Sequence, residues 1–228
     1  MIRENLTGDC EIVEMNERRV ILFGGSFDPV HEGHIRVAES ARQYLGAERA
    51  ILIAAGRSPH KEQNPLASGE HRMAMLRLAI EGHAGLEVSD LELNRPQPSY
   101  TYDTVEHFRN LYGDSTALYW LLGADLVGDL GIWYRACELI DGCRIAVMVR
   151  GGYPGPDLSA LEGPIGAARV ATLRQWMIPT PAIEVSSTEI RRRLAEGQGP
   201  GDEVPAAVAA YIARYGLYGR PGTEKRGG

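Results

Sequence analysis

The chain has 228 residues, and its 44% hydrophobic and 24% charged content is ordinary for a globular protein that builds its own core. With 24 basic and 30 acidic side chains the formal net charge is −6, which argues against general nucleic-acid binding because such binding depends on a basic surface. No apolar run approaches the roughly 20 residues of a membrane span, and three cysteines without CxxC spacing are typical of a reducing compartment. We therefore expect a cytoplasmic protein with neither nucleic acid nor membrane as a partner.

Hydrophobic patterning predicts strands that alternate with amphipathic helices along most of the chain. The predicted strands and helices, in chain order, are strand 19–24, helix 33–45, a strand from residue 51, a helix between Ser68 and Gly82, strand 86–88, helix 101–112, strand 117–122, helix 133–140, strand 145–149, strand 170–177, helix 186–196 and helix 204–216. Gly46 and Gly216 stand where a glycine commonly ends a helix.

This alternation predicts an α/β fold, a Rossmann-like doubly wound parallel sheet with helices on both faces and a small helical part at the C-terminus. The length fits one large domain or two small ones, and the nearly continuous alternation favours a single domain over 19–218. Residues 1–18 and 219–228 are expected to be poorly ordered tails. The Gly- and Pro-rich stretch 151–166 is expected to be a surface excursion.

A first cluster of chemically suggestive residues, GGSFDPVHEGH over 24–34, lies between the first predicted strand and the first helix. In an open α/β sheet, ligands bind outside the carboxyl ends of the strands. The glycines let backbone approach a ligand closely, and His31 and His34 share one face of the first helical turn. Because a helix N-terminus attracts anions, this segment predicts a phosphate site.

Other interpretations of this segment stay open. The two glycines alone form an ordinary turn, and two histidines at this spacing are either a solvated helix start or a pair of metal ligands, although neither cysteine nor a suitably spaced carboxylate completes a zinc set. The segment matches neither the GxGxxG dinucleotide fingerprint nor the GxxxxGK[ST] phosphate loop. It therefore counts against a dehydrogenase and against a P-loop ATPase.

A second cluster, SSTEIRRR over 186–193, opens the helix that follows the last predicted strand. Ser186 and Glu189 have capping-box spacing. Arg191 lies on the same face as Ser187 and Thr188, and the planar guanidinium suits phosphate. The alternative is a well-capped surface helix, which is the favoured interpretation for Arg192 and Arg193. Two phosphate-suited helix ends suggest a polyphosphate held between them.

The two clusters together resemble the signatures of the HxGH nucleotidyltransferase superfamily, and 19–218 resembles the bacterial nicotinate-nucleotide adenylyltransferases in particular. Further ordered matches support this resemblance: Ser58-Pro59-His60-Lys61, Glu70-His71-Arg72, Pro98-Ser99-Tyr100-Thr101, Asp103-Thr104, Gly123-Ala124-Asp125, Trp133, and Val204-Pro205 through Leu217-Tyr218. The resemblance implies transfer of AMP from ATP to nicotinate mononucleotide, which gives deamido-NAD and pyrophosphate. It also implies Mg²⁺ with ATP as co-substrate and no covalent enzyme intermediate. We expect no metal held by the protein's own side chains.

The resemblance also assigns roles to particular residues. The proposed catalytic residues are His31, His34 and Arg191. The other proposed ATP-binding residues are Gly25, Ser26, Phe27, Gly123, Asp125, Ser187 and Thr188. The proposed residues for the acceptor are His60, Lys61, Tyr100, Thr101, Asp125 and Trp133. Tyr100 and Thr101 begin a predicted helix, so their backbone N–H groups suit a carboxylate and favour the acid over the uncharged amide.

Purely structural roles are alternatives for some of these residues. Three segments also depart from the family pattern. Trp133 is also compatible with an ordinary half-buried core tryptophan, and His60 and Lys61 with a solvated polar turn. The departures are the acidic extension 1–18, the insert 151–166 and the sequence QGPGDE over 198–203.

Rival functions are transfer to another phosphate acceptor, such as phosphopantetheine or glycerol phosphate, a non-catalytic nucleotide-binding module, and a fragment of a class I tRNA synthetase. The PSYTxDT segment and Trp133 favour an acceptor with a flat pyridine ring, and the intact histidines and Arg191 favour catalytic turnover. This sequence lacks the KMSKS-like segment that would be expected of a synthetase fragment. A homo-oligomer is left open.

Overall fold

The computed structural model describes residues 2–4, 10–12, 17–56, 65–150, 155–181 and 185–219. The strands are β1 (Ile2–Glu4), β2 (Cys10–Ile12), β3 (Arg18–Gly25), β4 (Arg49–Ala54), β5 (Leu86–Ser89), β6 (Thr116–Gly123), β7 (Arg144–Arg150) and β8 (Met177–Thr180). The α-helices are α1 (Glu32–Leu45), α2 (Gly69–Ala79), α3 (Thr101–Tyr112), α4 (Ala136–Gly142), α5 (Glu162–Ile165), α6 (Ala167–Gln175), α7 (Ser187–Ala195) and α8 (Ala206–Tyr215). Two short 3₁₀ helices cover Val127–Ile132 and Ser159–Leu161.

Six strands form a parallel sheet in the order β5-β4-β3-β6-β7-β8. Within this sheet the chain path begins at the central β3, winds outward through β4 and β5, and then returns to the other side of β3 with β6. The strand order therefore reverses between β3 and β6, and a crevice opens there at the carboxyl ends of the strands. The predicted Rossmann-like doubly wound sheet is confirmed.

Helices cover both faces of this sheet, as the patterning predicts. Along β3 the side chains of Ile21 and Phe23 join a core with α1, α2, α7 and α8. Val20 and Leu22 join a second core with α3, α4 and α6 on the opposite face. All four side chains are at most 8% exposed, because successive residues of a strand point to opposite faces and both faces are covered.

The predicted strand over 170–177 is wrong. Residues 167–175 form α6, and the strand is the following β8. Val170 and Leu173 are both buried, and their separation of three residues is a helical spacing rather than the alternation of a strand. Pro179 weakens the pattern of the true strand, and it is tolerated because β8 is an edge strand.

The predicted helix from Trp133 begins three residues too early. Trp133 follows the first 3₁₀ helix, and α4 starts only at Ala136. Arg135 stands between them in the left-handed region with φ 54°, which no α-helix can continue through. Trp133 is therefore presented by an irregular segment beside the sheet's carboxyl edge.

Residues 2–4 and 10–12 pair as a small antiparallel sheet, separate from the main one. The prediction of a poorly ordered extension over 1–18 did not include this pairing, because three-residue strands are too short to show periodicity. Glu17 also bonds Arg144 on β7, with oxygen–nitrogen distances of 2.9 and 3.0 Å. Of the predicted C-terminal tail, only Gly219 lies within the described residues.

Among the helices that the structure describes, none is long and apolar enough to cross a membrane.

Candidate active site

The segment after β3 places its polar groups at the point where the strand order reverses. Phe27 has a positive φ of 48° and Asp28 and Pro29 form a turn, after which His31 caps α1. A Cβ on Gly25 would lie only 2.8 Å from the Phe27 ring. Glycine is therefore required here for the chain to turn closely back over the end of the strand.

The two histidines of this segment stack on each other. Their ring centroids are 3.7 Å apart at an interplanar angle of 29°. The backbone N–H of His31 donates to Nδ1 of His34 at 3.2 Å. In the neutral ring that acceptor nitrogen carries no proton, so the proton is assigned to Nε2, which becomes a hydrogen-bond donor.

Both imidazoles are neutral at pH 7. Burial lowers the pKa of His31 to about 4, against a smaller opposing effect from the charge of Glu203. Burial, and secondarily the neighbouring His31, lowers the pKa of His34 well below its usual value. The pair therefore offers neutral N–H donors rather than fixed positive charges.

We expect the folded protein to lose stability as the pH falls from 7.5 to 5. His31 binds a proton near pH 6.5 when unfolded but only near pH 4 when folded, so the unfolded state gains protons first and becomes favoured. The free energy of unfolding should drop by about 2 kcal/mol from His31 alone. Thermal unfolding of wild type and His31→Gln at both pH values measures this, with the exposed His107→Gln as control. An unchanged pH dependence in His31→Gln would contradict the assignment.

The second cluster docks directly on the first. The hydroxyl of Ser187 donates to the carbonyl of Pro29 at 2.9 Å, and Nη1 of Arg191 donates to the carbonyl of Asp28 at 2.7 Å. Nη2 of Arg191 donates to Oγ1 of Thr188 at 3.2 Å. As predicted, Ser186 caps α7 by accepting from the N–H of Glu189 at 3.2 Å. The N-termini of α1 and α7 therefore meet at one turn.

The other two arginines of the cluster point elsewhere. Arg192 pairs with Glu189 and Glu196 on its own helix, each at 2.7 Å. Arg193 donates to the carbonyl of Pro200 at 2.7 Å and pairs with Glu203 at 3.1 Å. Among the described contacts neither bonds the Asp28–Pro29 turn, so Arg191 is the arginine of this run that bonds the histidine segment.

A cavity of about 380 Å³ opens at the carboxyl edge of the sheet next to this turn. Seven of the predicted site residues line it: Gly25, Ser26, Tyr100, Thr101, Gly123, Asp125 and Trp133. Phe23 also lines it and lies against His34, with ring centroids 6.3 Å apart. Six other predicted site residues do not line this cavity but lie in, or dock on, the segment that follows its lining residues Gly25 and Ser26: Phe27, His31, His34, Ser187, Thr188 and Arg191. His60 and Lys61 are outside the described residues.

One wall of the cavity is aromatic. Tyr100, at the cap of α3, lies 4.5 Å from Tyr134 between ring centroids, and both line the cavity with Trp133. Arg135 sits 4.0 Å above the ring of Tyr102. Trp133 is half-buried, touching the second core while it lines the cavity. Its surroundings are therefore compatible with stacking on a planar ligand and with a core role.

Comparison with known proteins agrees with this architecture. Residues 22–193 match the family model described as cytidylyltransferase-like. A probable nicotinate-nucleotide adenylyltransferase of Rhodopirellula baltica is 38% identical over 208 residues, 91% of this chain and 97% of the relative. Another from Thermus thermophilus is 38% identical over 200 residues, 88% of this chain and 99% of the relative. The chain belongs to the nicotinate-nucleotide adenylyltransferase family.

Solved structures support the fold of this family member. The nicotinic acid mononucleotide adenylyltransferase of Plasmodium falciparum, in a complex with NaAD, superposes with a TM-score of 0.67 at 20% identity. The alignment covers 88% of this chain and 97% of that one. At this identity the similarity establishes the fold, and the family assignment depends on the sequence relatives.

Sequence reasoning predicted a tight turn at Asp28-Pro29 but gave the Asp28 side chain no role, yet in this member of the adenylyltransferase family that side chain joins distant segments. Its carboxylate accepts from the N–H groups of Leu66 and Ala67 at 2.7 and 3.1 Å and from the hydroxyl of Tyr218 at 2.7 Å. Its carbonyl accepts from Arg191. The only sequence signal was its position between the two glycines and the two histidines.

Arg72 is a second residue whose structural role sequence reasoning missed, although its EHR motif was noted. It is 3% exposed and donates to the carbonyls of Ser26 and Ala55 at 2.8 and 2.9 Å. It therefore ties the ends of β3 and β4 together behind the cavity. Burial lowers its pKa from the usual arginine value, opposed mainly by the negative charge of Asp28.

Proposed function

We propose that this protein transfers AMP from ATP to nicotinate mononucleotide, producing deamido-NAD and pyrophosphate. The observation that carries the proposal is the docking of Ser187 and Arg191 on the carbonyls of Pro29 and Asp28. It brings two anion-binding helix N-termini to one edge of the sheet, beside a cavity with aromatic walls. A polyphosphate and a flat ring are the ligand parts that such a site can hold together.

The proposed reaction is a direct in-line displacement. A phosphate oxygen of the mononucleotide forms a bond to the α-phosphorus of ATP, the bond from that phosphorus to its bridging oxygen breaks, and pyrophosphate leaves with the electron pair. The attacking phosphate is already ionised, so no general base is needed. The protein's task is then to align the two substrates and to stabilise the negative charge that develops on phosphoryl oxygens.

In this proposal the phosphates of ATP lie between the two helix N-termini. His31 and His34 donate neutral N–H bonds from one side, and Ser187, Thr188 and Arg191 bind from the other. Arg191 donates two of its five N–H groups to Asp28 and Thr188, and the other three can bind a phosphate.

The nucleoside parts and the acceptor occupy the cavity in this proposal. The backbone of Gly25, Ser26 and Phe27 faces the nucleotide, and Asp125, exposed after Gly123, accepts from a ribose hydroxyl. The pyridine ring stacks on Trp133, and its carboxylate meets the N-terminus of α3 at Tyr100 and Thr101. Contacts of His60 and Lys61 with the acceptor phosphate stay a prediction, since both lie outside the described residues.

Magnesium enters this proposal as part of the MgATP substrate. Within the described ranges, no group of three or more histidine, cysteine, aspartate or glutamate side chains could hold a metal ion. Magnesium keeps several waters and is commonly held by substrate phosphates with one or two carboxylates. In this proposal the residues at the two helix N-termini bind the phosphates, and the triphosphate and water hold the magnesium ion.

We also propose a cytoplasmic location. In the part of the chain with described side chains, Cys137 and Cys143 are free thiols, which suits a reducing compartment.

A pyrophosphate-release assay tests the function directly. With ATP and Mg²⁺ present, nicotinate mononucleotide should be turned over with a kcat/KM about tenfold or more above its amide, because a charged carboxylate gains more at a helix N-terminus than a neutral amide. Phosphopantetheine and glycerol phosphate should give no release above background. Turnover of either of these instead of the pyridine nucleotides would overturn the proposal. Equal rates for acid and amide would overturn only the preference for the acid.

A further inference from the structure

A largely buried polar cluster at the cavity connects three segments that border it. It consists of Glu92, Arg95, Ser99 and Thr104. Glu92, Ser99 and Thr104 are 6%, 6% and 0% exposed, and Glu92 and Ser99 line the cavity together with Tyr100 and Thr101. A charged side chain buried this deeply requires specific partners.

Glu92 spans two of those segments. Its Oε2 accepts from the N–H of Gly56, two residues after β4, at 3.2 Å. Its Oε1 accepts from the hydroxyl of Thr104, on the first turn of α3, at 2.8 Å. The carboxylate therefore fixes the start of α3 relative to the end of β4.

Arg95 holds the peptide at which α3 begins. Its Nη2 donates to Oγ1 of Thr104 at 2.6 Å and to the carbonyl of Tyr100 at 2.8 Å. Its Nε donates to Oγ of Ser99 at 2.9 Å, and Nη2 contacts the same oxygen. Three acceptors around one planar guanidinium leave the Tyr100 carbonyl little freedom to rotate.

The orientation of that carbonyl determines where the next N–H points. In a trans peptide the C=O and the N–H project in opposite directions. The Tyr100 carbonyl points at Arg95, so the N–H of Thr101 points away from the cluster, and Thr101 lines the cavity. At the first position of a helix this N–H has no acceptor within the helix.

We propose that Arg95, held by Glu92 and Thr104, is a positioning residue that aims the Thr101 N–H at the pyridine substituent and thereby sets the preference for the acid over the amide. This inference rests on the proposed function. The cluster itself contacts no reacting atom, and it acts through the peptide between Tyr100 and Thr101. Since every member of the cluster has a partner, losing one leaves a buried charge or donor without compensation and frees the peptide.

Thr104→Val tests the proposal, because valine keeps the shape and removes the hydroxyl that links Glu92 to Arg95. We expect kcat/KM for nicotinate mononucleotide to fall about tenfold and that for the amide to fall less than threefold, with the KM for ATP unchanged within twofold. Thr104→Ser restores the hydroxyl and should restore the ratio of the two substrates. If Thr104→Val fails to fold, Arg95→Lys, which keeps the charge but cannot reach three acceptors, carries the same expectation.

A matched control separates positioning from stability. Thr116 is 7% exposed, and its hydroxyl donates to the Tyr112 carbonyl at 3.2 Å, beyond the far end of α3. Thr116→Val should lower the melting temperature but leave the acid-to-amide ratio unchanged. An unchanged ratio in Thr104→Val, or an equal loss for both substrates, would overturn the proposal.

The same experiment distinguishes a failed positioning role from a failed function. If wild type turns over neither pyridine nucleotide, the proposed function fails, and calorimetric binding of the acid and the amide to wild type and Thr104→Val replaces the rates. If the ratio of acid affinity to amide affinity is lower in the variant than in wild type, the positioning role is supported. If that ratio is the same in both proteins, or the acid does not bind, the positioning role is overturned.

Discussion

His34→Ala is expected to lower kcat about 10²- to 10³-fold while the protein stays folded. The neutral ring carries its donor on Nε2, because Nδ1 accepts from the N–H of His31. Removing one preorganised donor that faces developing negative charge has an effect of this size in other enzymes. Single-turnover rates of pyrophosphate release, with the melting temperature as a check on folding, measure the loss.

Two further variants make this result specific. His107 is exposed on α3, and His107→Ala should keep the wild-type rate. His34→Asn offers the N–H of His31 an amide oxygen, so it should recover stability without recovering turnover. A His34→Ala enzyme with kcat within threefold of wild type would show that the histidine has no catalytic role.

Arg191→Ala is expected to lower kcat/KM for ATP about 100-fold. A charge-assisted bond to a phosphate contributes about 1.5–3 kcal/mol, and Arg191 also joins α7 to the Asp28 carbonyl at 2.7 Å. Arg191→Lys should recover only part of the loss, since an ammonium cannot bond Asp28, Thr188 and a phosphate in one plane. Initial rates at varied ATP concentration give the value.

The neighbouring Arg192 provides the control for this variant. It is exposed and paired with Glu189 and Glu196 on its own helix, so Arg192→Ala should keep kcat/KM within twofold of wild type. If the Arg191 and Arg192 variants behave alike, the assignment of Arg191 to the phosphates is wrong.

Local sequence predicted most elements because their signals act over a few residues. Apolar runs marked β3, β4, β6 and β7, while Gly46 and Gly216 take left-handed φ values of 59° and 62° where their helices end. The prediction failed where local signals conflicted. Pro179 obscured the pattern of β8. Arg135 adopts a left-handed conformation that an arginine in the sequence does not indicate, and this conformation separates Trp133 from α4.

The candidate site shows the same division. Motifs in the sequence led us to propose phosphate contacts for His31, His34, Ser187, Thr188 and Arg191, because phosphate chemistry favours those side chains at helix starts. They gave Asp28 no part in joining distant segments, although its partners Arg191 and Tyr218 lie 163 and 190 residues away along the chain. Nor did they indicate the cluster around Arg95, because its contacts join the segment before α3 to the helix itself and to the residue pair after β4.

The sequence by itself determined the alternating fold, the two phosphate motifs and the family that they resemble, since periodicity and short-range spacing are properties of neighbouring residues. With a net charge of −6, it also made a few local donors a better basis for anion binding than a basic surface. Only the tertiary structure decided which of those donors meet. It placed α7 on the Asp28–Pro29 turn, paired Arg192 and Arg193 with other groups, and brought the partly buried Arg95 against the first peptide of α3. Such choices depend on contacts between distant segments, whose geometry exists only after the sheet has assembled.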